Sequence, residues 1–119
     1  MNKKVLIVDD SLYMRTIIKD TLIEAGYEIV GQAANGESAI DMALELLPDI
    51  ITLDNILPDM LGLDILKTLK EENVPSKVLM ISAVGQQSVI DEGMRLGIGG
   101  YIVKPFSSEQ LIEAVKKLT

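Results

Sequence analysis

Five short apolar runs alternate along the chain with five segments in which apolar residues recur every three or four positions. Val5-Leu6-Ile7-Val8 is unbroken by polar residues, as are Val78-Leu79-Met80-Ile81 and Tyr101-Ile102-Val103. Ile50-Ile51-Thr52-Leu53 carries one threonine, and Tyr27-Glu28-Ile29-Val30-Gly31 is half polar, as suits the edge of a sheet. Continuous runs rich in β-branched residues read as strands covered on both faces, the habit of a parallel sheet. Between them, Leu12, Ile17, Ile18, Leu22 and Ile23 stripe a first helix that Gly26 stops, and Ala39, Met42, Ala43 and Leu46 stripe a second that ends before Pro48. A third helix is expected from about Gly62 to Glu71 and a fourth from about Gln86 to Leu96, with Gly97, Gly99 and Gly100 releasing the chain. Ser107-Ser108-Glu109-Gln110 opens the fifth with a capping-box pattern. Five strand–helix alternations predict an α/β fold, a doubly wound five-stranded parallel sheet with helices on both faces.

Composition narrows what such a domain does. The 119 residues suit one compact unit, and no linker or repeat interrupts them, so a single domain, 1–119, with no output domain is expected. Aromatics are only 3%, which leaves an aliphatic core. The net charge of −7 argues against nucleic-acid binding and against an electrostatic membrane anchor. Without cysteine there is no thiolate chemistry, and without histidine there is neither the usual general base nor a phosphohistidine within the chain. The first apolar run is too short for a signal-peptide core or a membrane span, so a cytoplasmic location is expected.

In doubly wound folds ligands bind at the carboxyl ends of the strands. The residues standing there are Asp9-Asp10, Asp54, Ser82-Ala83 and Lys104-Pro105. With the first and third strands as neighbours, Asp9, Asp10 and Asp54 converge, and their mutual repulsion calls for a cation. Oxygen ligands in an incomplete cage suit Mg²⁺, which shares its coordination with a phosphate. Lys104 can set its ammonium against a carboxylate or phosphoryl oxygen, and Ser82 can donate a hydrogen bond. The set describes a phosphoryl-transfer site with Asp54 as covalent acceptor. Each residue alone also has a plain structural use. Asp10 and Ser11 suit a helix cap, Asp54 a turn with Asn55 and Pro58-Asp59, and Lys104-Pro105 a strand end. It is their coincidence at four ends of one sheet edge that points to chemistry.

With these residues placed, the chain resembles the receiver domains of two-component response regulators, and among them the single-domain chemotaxis regulators. The resemblance spans essentially the whole chain. It rests on Val5-Leu6-Ile7-Val8-Asp9-Asp10-Ser11, Asn35-Gly36, Asp54 with Leu57-Pro58-Asp59-Met60 and Gly62, Ser82-Ala83, and Gly100 through Phe106. It implies the flavodoxin-like strand order 2-1-3-4-5 and a cis Lys104-Pro105 bond. It implies Asp54 as the phosphorylated residue, with Asp9, Asp10, Asp54 and the Ile56 backbone carbonyl as Mg²⁺ ligands. Ser82 and Lys104 become the residues that meet the phosphoryl group, and Tyr101 the aromatic that swings inward when the switch engages. On sequence alone Tyr101 reads equally as an ordinary half-buried edge aromatic. The implied partners are a chemotaxis-type (CheA-like) histidine kinase as phosphodonor, and a flagellar or archaellar motor or adaptor protein as target. The target docks on the face of the fourth helix, fifth strand and fifth helix. Gly85-Gln86-Gln87 resembles the chemotaxis branch that relies on phosphatases; it reads equally as a turn opening a helix. Ile56 and Val84 flank the family's water path; both are apolar, so slow self-dephosphorylation and a separate phosphatase are expected.

The chain departs from the family at Ser82, where threonine is commoner, and at Asn55, where a hydrophobic residue is usual. Other readings fit less well. A non-phosphorylated binding module predicts a missing acid, and none is missing. A haloacid-dehalogenase-type phosphatase wants a second acid where Ile56 stands, and a flavin carrier wants a Ser/Thr-rich loop where Asp9-Asp10 stand. The remaining alternative is a phosphorelay intermediate that passes its phosphoryl group to another histidine protein.

Overall fold

A computed structural model describes residues 2–83 and 86–118, so Val84 and Gly85 lie outside the described residues. The strands are β1 (Lys4–Val8), β2 (Glu28–Ala33), β3 (Ile50–Asp54), β4 (Lys77–Ala83) and β5 (Gly100–Lys104). The helices are α1 (Leu12–Glu24), α2 (Gly36–Leu46), α3 (Gly62–Glu71), α4 (Gln87–Arg95) and α5 (Ser108–Lys116). All pairings are parallel and the order is β2-β1-β3-β4-β5, as expected.

Alternate residues of each strand feed two cores, because successive side chains point to opposite faces. Val5, Ile7, Ile50, Leu79 and Ile81 pack with Ile18 and Leu22 of α1 and with Leu111 and Val115 of α5. Leu6, Val8, Ile51, Leu53 and Val78 pack with Ala39 and Ala43 of α2 and with Ile65, Leu66 and Leu69 of α3. In α1 the buried positions are Ile18 and Leu22, whereas Leu12 and Ile23, expected in the stripe, are exposed. At 100° per residue both project roughly 120–140° around the helix from Ile18, off the packed face.

Ser11, Asn35 and Ser107 cap their helices by accepting from the backbone N–H groups of Met14, Ser38 and Gln110. Gln110 completes the expected capping box by accepting from the Ser107 N–H. The end of α2 is unusual, since Leu47 adopts a left-handed conformation at φ 44° with its side chain exposed. A leucine there is strained by about 1 kcal/mol. Leu47→Gly is therefore expected to raise stability by about 0.5–1 kcal/mol in urea denaturation, and unchanged stability would show that the strain is relieved elsewhere.

The register brings the chemistry to one edge. Val8 pairs with Leu53, Asp54 with Ile81, Ser82 with Val103 and Ala83 with Lys104. Asp9, Asp54, Ser82 and Lys104 therefore stand side by side at the carboxyl end of the sheet.

Candidate functional site

Asp9 leaves β1 directly under α1 and is buried, at 1% exposure. Its Oδ1 accepts from the Ser11 N–H at 2.9 Å, and its Oδ2 accepts from Lys104 Nζ at 2.9 Å. Lys104, at the end of β5, also sits 3.7 Å from Asp54 Oδ1. Asp10 is exposed at the rim. Carboxylate oxygens of Asp9, Asp10 and Asp54 lie within 4.8 Å of one another. Burial pushes the Asp54 carboxyl up to about 6, helped by the charges of Asp9 and Asp10 and opposed chiefly by Lys104, with a smaller opposing effect from a hydrogen bond to the Ile56 backbone. Three carboxylate donors, one of them driven toward protonation chiefly by burial, fit a hard divalent cation well.

The loop after β3 folds back as a miniature hairpin. Gly62 N–H donates to Asn55 O at 2.6 Å and Leu57 N–H to Met60 O at 3.2 Å, and these two bonds bracket a bridge between Ile56 and Leu61. In such a pair the flanking residues make the cross-bonds, so the bracketed residue turns its own N–H and C=O away from its partner and to a common side. That is the side of the Asp54 carboxylate, which the Ile56 backbone meets. A Cβ on Gly62 would fall 2.6 Å from Asp54 O, so only glycine lets the hairpin close so tightly. Asn55 is buried at the base, its Oδ1 without a hydrogen-bond partner among the described residues.

Ser82 is fully buried and its Oγ likewise has no partner among the described residues. A buried hydroxyl on the strand beside Asp54 can donate to a polar group arriving there. Tyr101 is 43% exposed, a partly buried aromatic on the edge strand β5. With Met94, Ile98 and Lys117 it lines a groove of about 700 Å³ along α4, β5 and α5. The Lys104–Pro105 bond is cis. Val84 lies outside the described residues, while Ile56, its companion on the expected water path, is exposed.

The structure thus brings together Asp9, Asp10, Asp54 and Lys104, with Ile56 and Ser82 alongside. Two further residues escaped the sequence reading. Arg15 Nη1 donates to Asp9 O at 2.7 Å, fixing the turn that carries both acids. Asp59, read above as a turn former and as part of the family motif but given no partner, accepts from Gly36 N–H at 2.7 Å and Glu37 N–H at 3.0 Å, and these bonds hold its carboxyl below the usual range. The only available signals were an arginine six residues after Asp9, in the first turn of a helix, and an acid in a loop; neither points to its partner.

A doubly wound sheet in this order, with an acid cluster and a lysine at its carboxyl edge, is the architecture of a CheY-like receiver. Residues 5–116 match the response regulator receiver domain, and the chain belongs to that family. It is 41% identical to the chemotaxis protein CheY of Thermotoga maritima, over 100% of this chain and 99% of that one. It is 38% identical to the sporulation initiation phosphotransferase F of Bacillus subtilis, over 98% of this chain and 94% of that one. The crystal structure of the chemotaxis response regulator CheY4 of Vibrio cholerae superposes with a TM-score of 0.92 at 31% identity, covering 100% of both chains. As a receiver the chain is a signalling protein rather than a conventional enzyme. Among the described residues no helix is long and apolar enough to cross a membrane.

Proposed function

We propose that this receiver takes a phosphoryl group on Asp54 and acts as a stand-alone chemotaxis response regulator in the cytoplasm. The observation that carries the reading is the convergence of Asp9, Asp10 and Lys104 on the Asp54 carboxylate. Asp9, Asp10, Asp54 and the Ile56 carbonyl would hold Mg²⁺, which when bound offsets the charge gathering on the phosphoryl oxygens. Asp54 attacks phosphorus in line; the new O–P bond forms as the bond to the donor breaks, and a phosphohistidine donor leaves as imidazole. Lys104 neutralises a phosphoryl oxygen and Ser82 donates its hydroxyl to another. Phosphorylation adds roughly −1.5 to −2 charge to the edge. Ser82 is drawn toward that charge, its loop follows, and Tyr101 turns inward, reshaping the α4–β5–α5 face on which a motor or adaptor protein docks.

A histidine kinase of the chemotaxis type is the donor in this reading. The likeness to CheY over the whole chain supports chemotaxis. The likeness to phosphotransferase F supports a second reading, a phosphorelay intermediate passing its phosphoryl group on to a histidine protein. Retention of the label on mixing with a candidate motor protein, against its loss to a histidine phosphotransfer protein, separates the two.

Incubation with a small acyl phosphate and Mg²⁺ is expected to add about 80 Da, one phosphoryl group, by intact mass spectrometry. Asp54→Ala and chelation of Mg²⁺ should each abolish the gain. The label is expected to survive for minutes or longer, since the apolar Ile56 and Val84 cannot orient water, which leaves removal to a separate phosphatase. A gain that persists in Asp54→Ala, or a lifetime of seconds, would contradict the corresponding part of the reading.

A further inference from the structure

The acceptor hairpin between Asn55 and Gly62 is anchored in the core by Leu57, but its outer residues have little burial to hold them. Ile56, Pro58, Asp59 and Leu61 are all exposed. Its base is closed by the Gly62–Asn55 bond, but its tip is tied to another element, the first turn of α2, more than twenty residues earlier in the chain. Both Asp59 oxygens take part, Oδ1 accepting from Gly36 N–H at 2.7 Å and Oδ2 from Glu37 N–H at 3.0 Å. The Asn35 side chain takes the Ser38 N–H at 2.9 Å, so Asp59 completes the cap from outside the helix. Beside it, the Met60 side chain packs on the bare Cα of Gly36, where a Cβ would come within 2.2 Å of Met60 Cγ. A polar clamp and an apolar contact therefore fix the same hairpin to the same helix turn.

We propose that Asp59 is a positioning residue for the metal site: by clamping the hairpin to α2 it holds the Ile56 carbonyl where Mg²⁺ needs it. The inference rests on the Mg²⁺ reading above. It makes α2 part of the site's support, although no residue of that helix is expected to touch the ion. Outer-shell supports of this kind are typically worth 10–100-fold in metal affinity.

The alternative is that Asp59 is merely a helix cap, and the carboxylate's own charge could also attract the ion. Calorimetric titration of Mg²⁺ into the full chain, beside thermal denaturation in EDTA, separates these. Asp59→Ala is expected to weaken Mg²⁺ binding about tenfold. Asp59→Asn keeps one of the two acceptor oxygens without the charge, and should lose less than Asp59→Ala, staying within about threefold of the wild type, if the clamp matters. Gly36→Ala displaces Met60 without altering charge and should weaken Mg²⁺ as well. A lower melting temperature with wild-type Mg²⁺ affinity in Asp59→Ala would reduce the residue to a cap and overturn the inference. Equal losses in Asp59→Asn and Asp59→Ala, with Gly36→Ala binding as the wild type does, would assign the effect to charge and overturn it too. A wild-type protein that binds no Mg²⁺ would overturn the metal reading beneath it, an outcome distinct from wild-type binding with unaffected variants.

Discussion

Asp54→Asn is expected to stabilise the metal-free protein by on the order of 2–3 kcal/mol at pH 8, with most of the gain gone by about pH 4. The sign follows from the raised acid. Asp54 titrates near 3.8 when unfolded and near 6 in the fold, because burial, Asp9 and Asp10 outweigh Lys104 and the Ile56 backbone. The folded state thus holds the proton more tightly than the unfolded state does. Below about pH 4 both states are largely protonated and the carboxyl costs little. As pH rises toward 6 the unfolded chain releases its proton first, so stability falls, and above 6 the full cost of a buried carboxylate is present. Each tenfold difference in proton affinity is worth about 1.4 kcal/mol, which sets the scale. Asparagine stays neutral throughout and escapes the cost. Urea denaturation in EDTA from pH 4 to 8 checks it, and wild-type and variant curves that run parallel across that range would refute it. With saturating Mg²⁺ the order should invert, since only the wild type keeps all three carboxylates and gains the binding energy of the ion.

How much of this was legible in the sequence depended on which force fixed each feature. The strands and the two cores follow from continuous apolar runs, and β2 was read as an edge from its polar residues, as found. The strand ends were drawn short because the pattern stopped at the first polar residue. Asp54, Ser82 and Lys104 are in fact still strand residues, since at the carboxyl edge a side chain points into a site rather than a core. The helical period included Leu12 and Ile23 because it counts apolar residues, whereas packing selects a narrower arc, and Met14 rather than Leu12 packs on the core of that face. Leu47 in a left-handed turn contradicts its propensity, so only the backbone could reveal it. At the site, Asp9, Asp54, Ser82 and Lys104 could be read because the parallel sheet itself aligns them. Arg15 and Asp59 could not, because their partners are backbone groups whose positions depend on how the loops fold, and backbone leaves no mark in the sequence.

Lys104→Met should pull two properties of the site in opposite directions, weakening the metal-free fold while tightening Mg²⁺ binding. Lys104 Nζ lies 2.9 Å from Asp9 Oδ2 and 3.7 Å from Asp54 Oδ1, so one ammonium serves two buried carboxylates. Without it Asp9, at 1% exposure, keeps the Ser11 N–H as its remaining side-chain hydrogen bond among those described. Breaking a buried pair by removing one partner costs about 3–5 kcal/mol; Lys104 keeps some contact with solvent, so about 2–3 kcal/mol is expected here. The same ammonium contests the carboxylates with any arriving cation. Two like unit charges about 4 Å apart near a protein surface repel by about 4 kcal/mol before relaxation, which bounds the effect from above. Even a third of that, recovered on removing Lys104, raises Mg²⁺ affinity about tenfold. Saturating Mg²⁺ should then restore much of the lost stability, because the ion takes over the neutralisation of Asp9 that the ammonium supplied. Denaturation with and without Mg²⁺, together with a calorimetric titration, reads both effects. Weaker or unchanged Mg²⁺ binding in Lys104→Met would mean that Lys104 does not compete for the acid cluster and instead helps to shape it. Lys104→Arg, which keeps the charge, should bind Mg²⁺ as the wild type does under either role, so the methionine variant alone decides between the two.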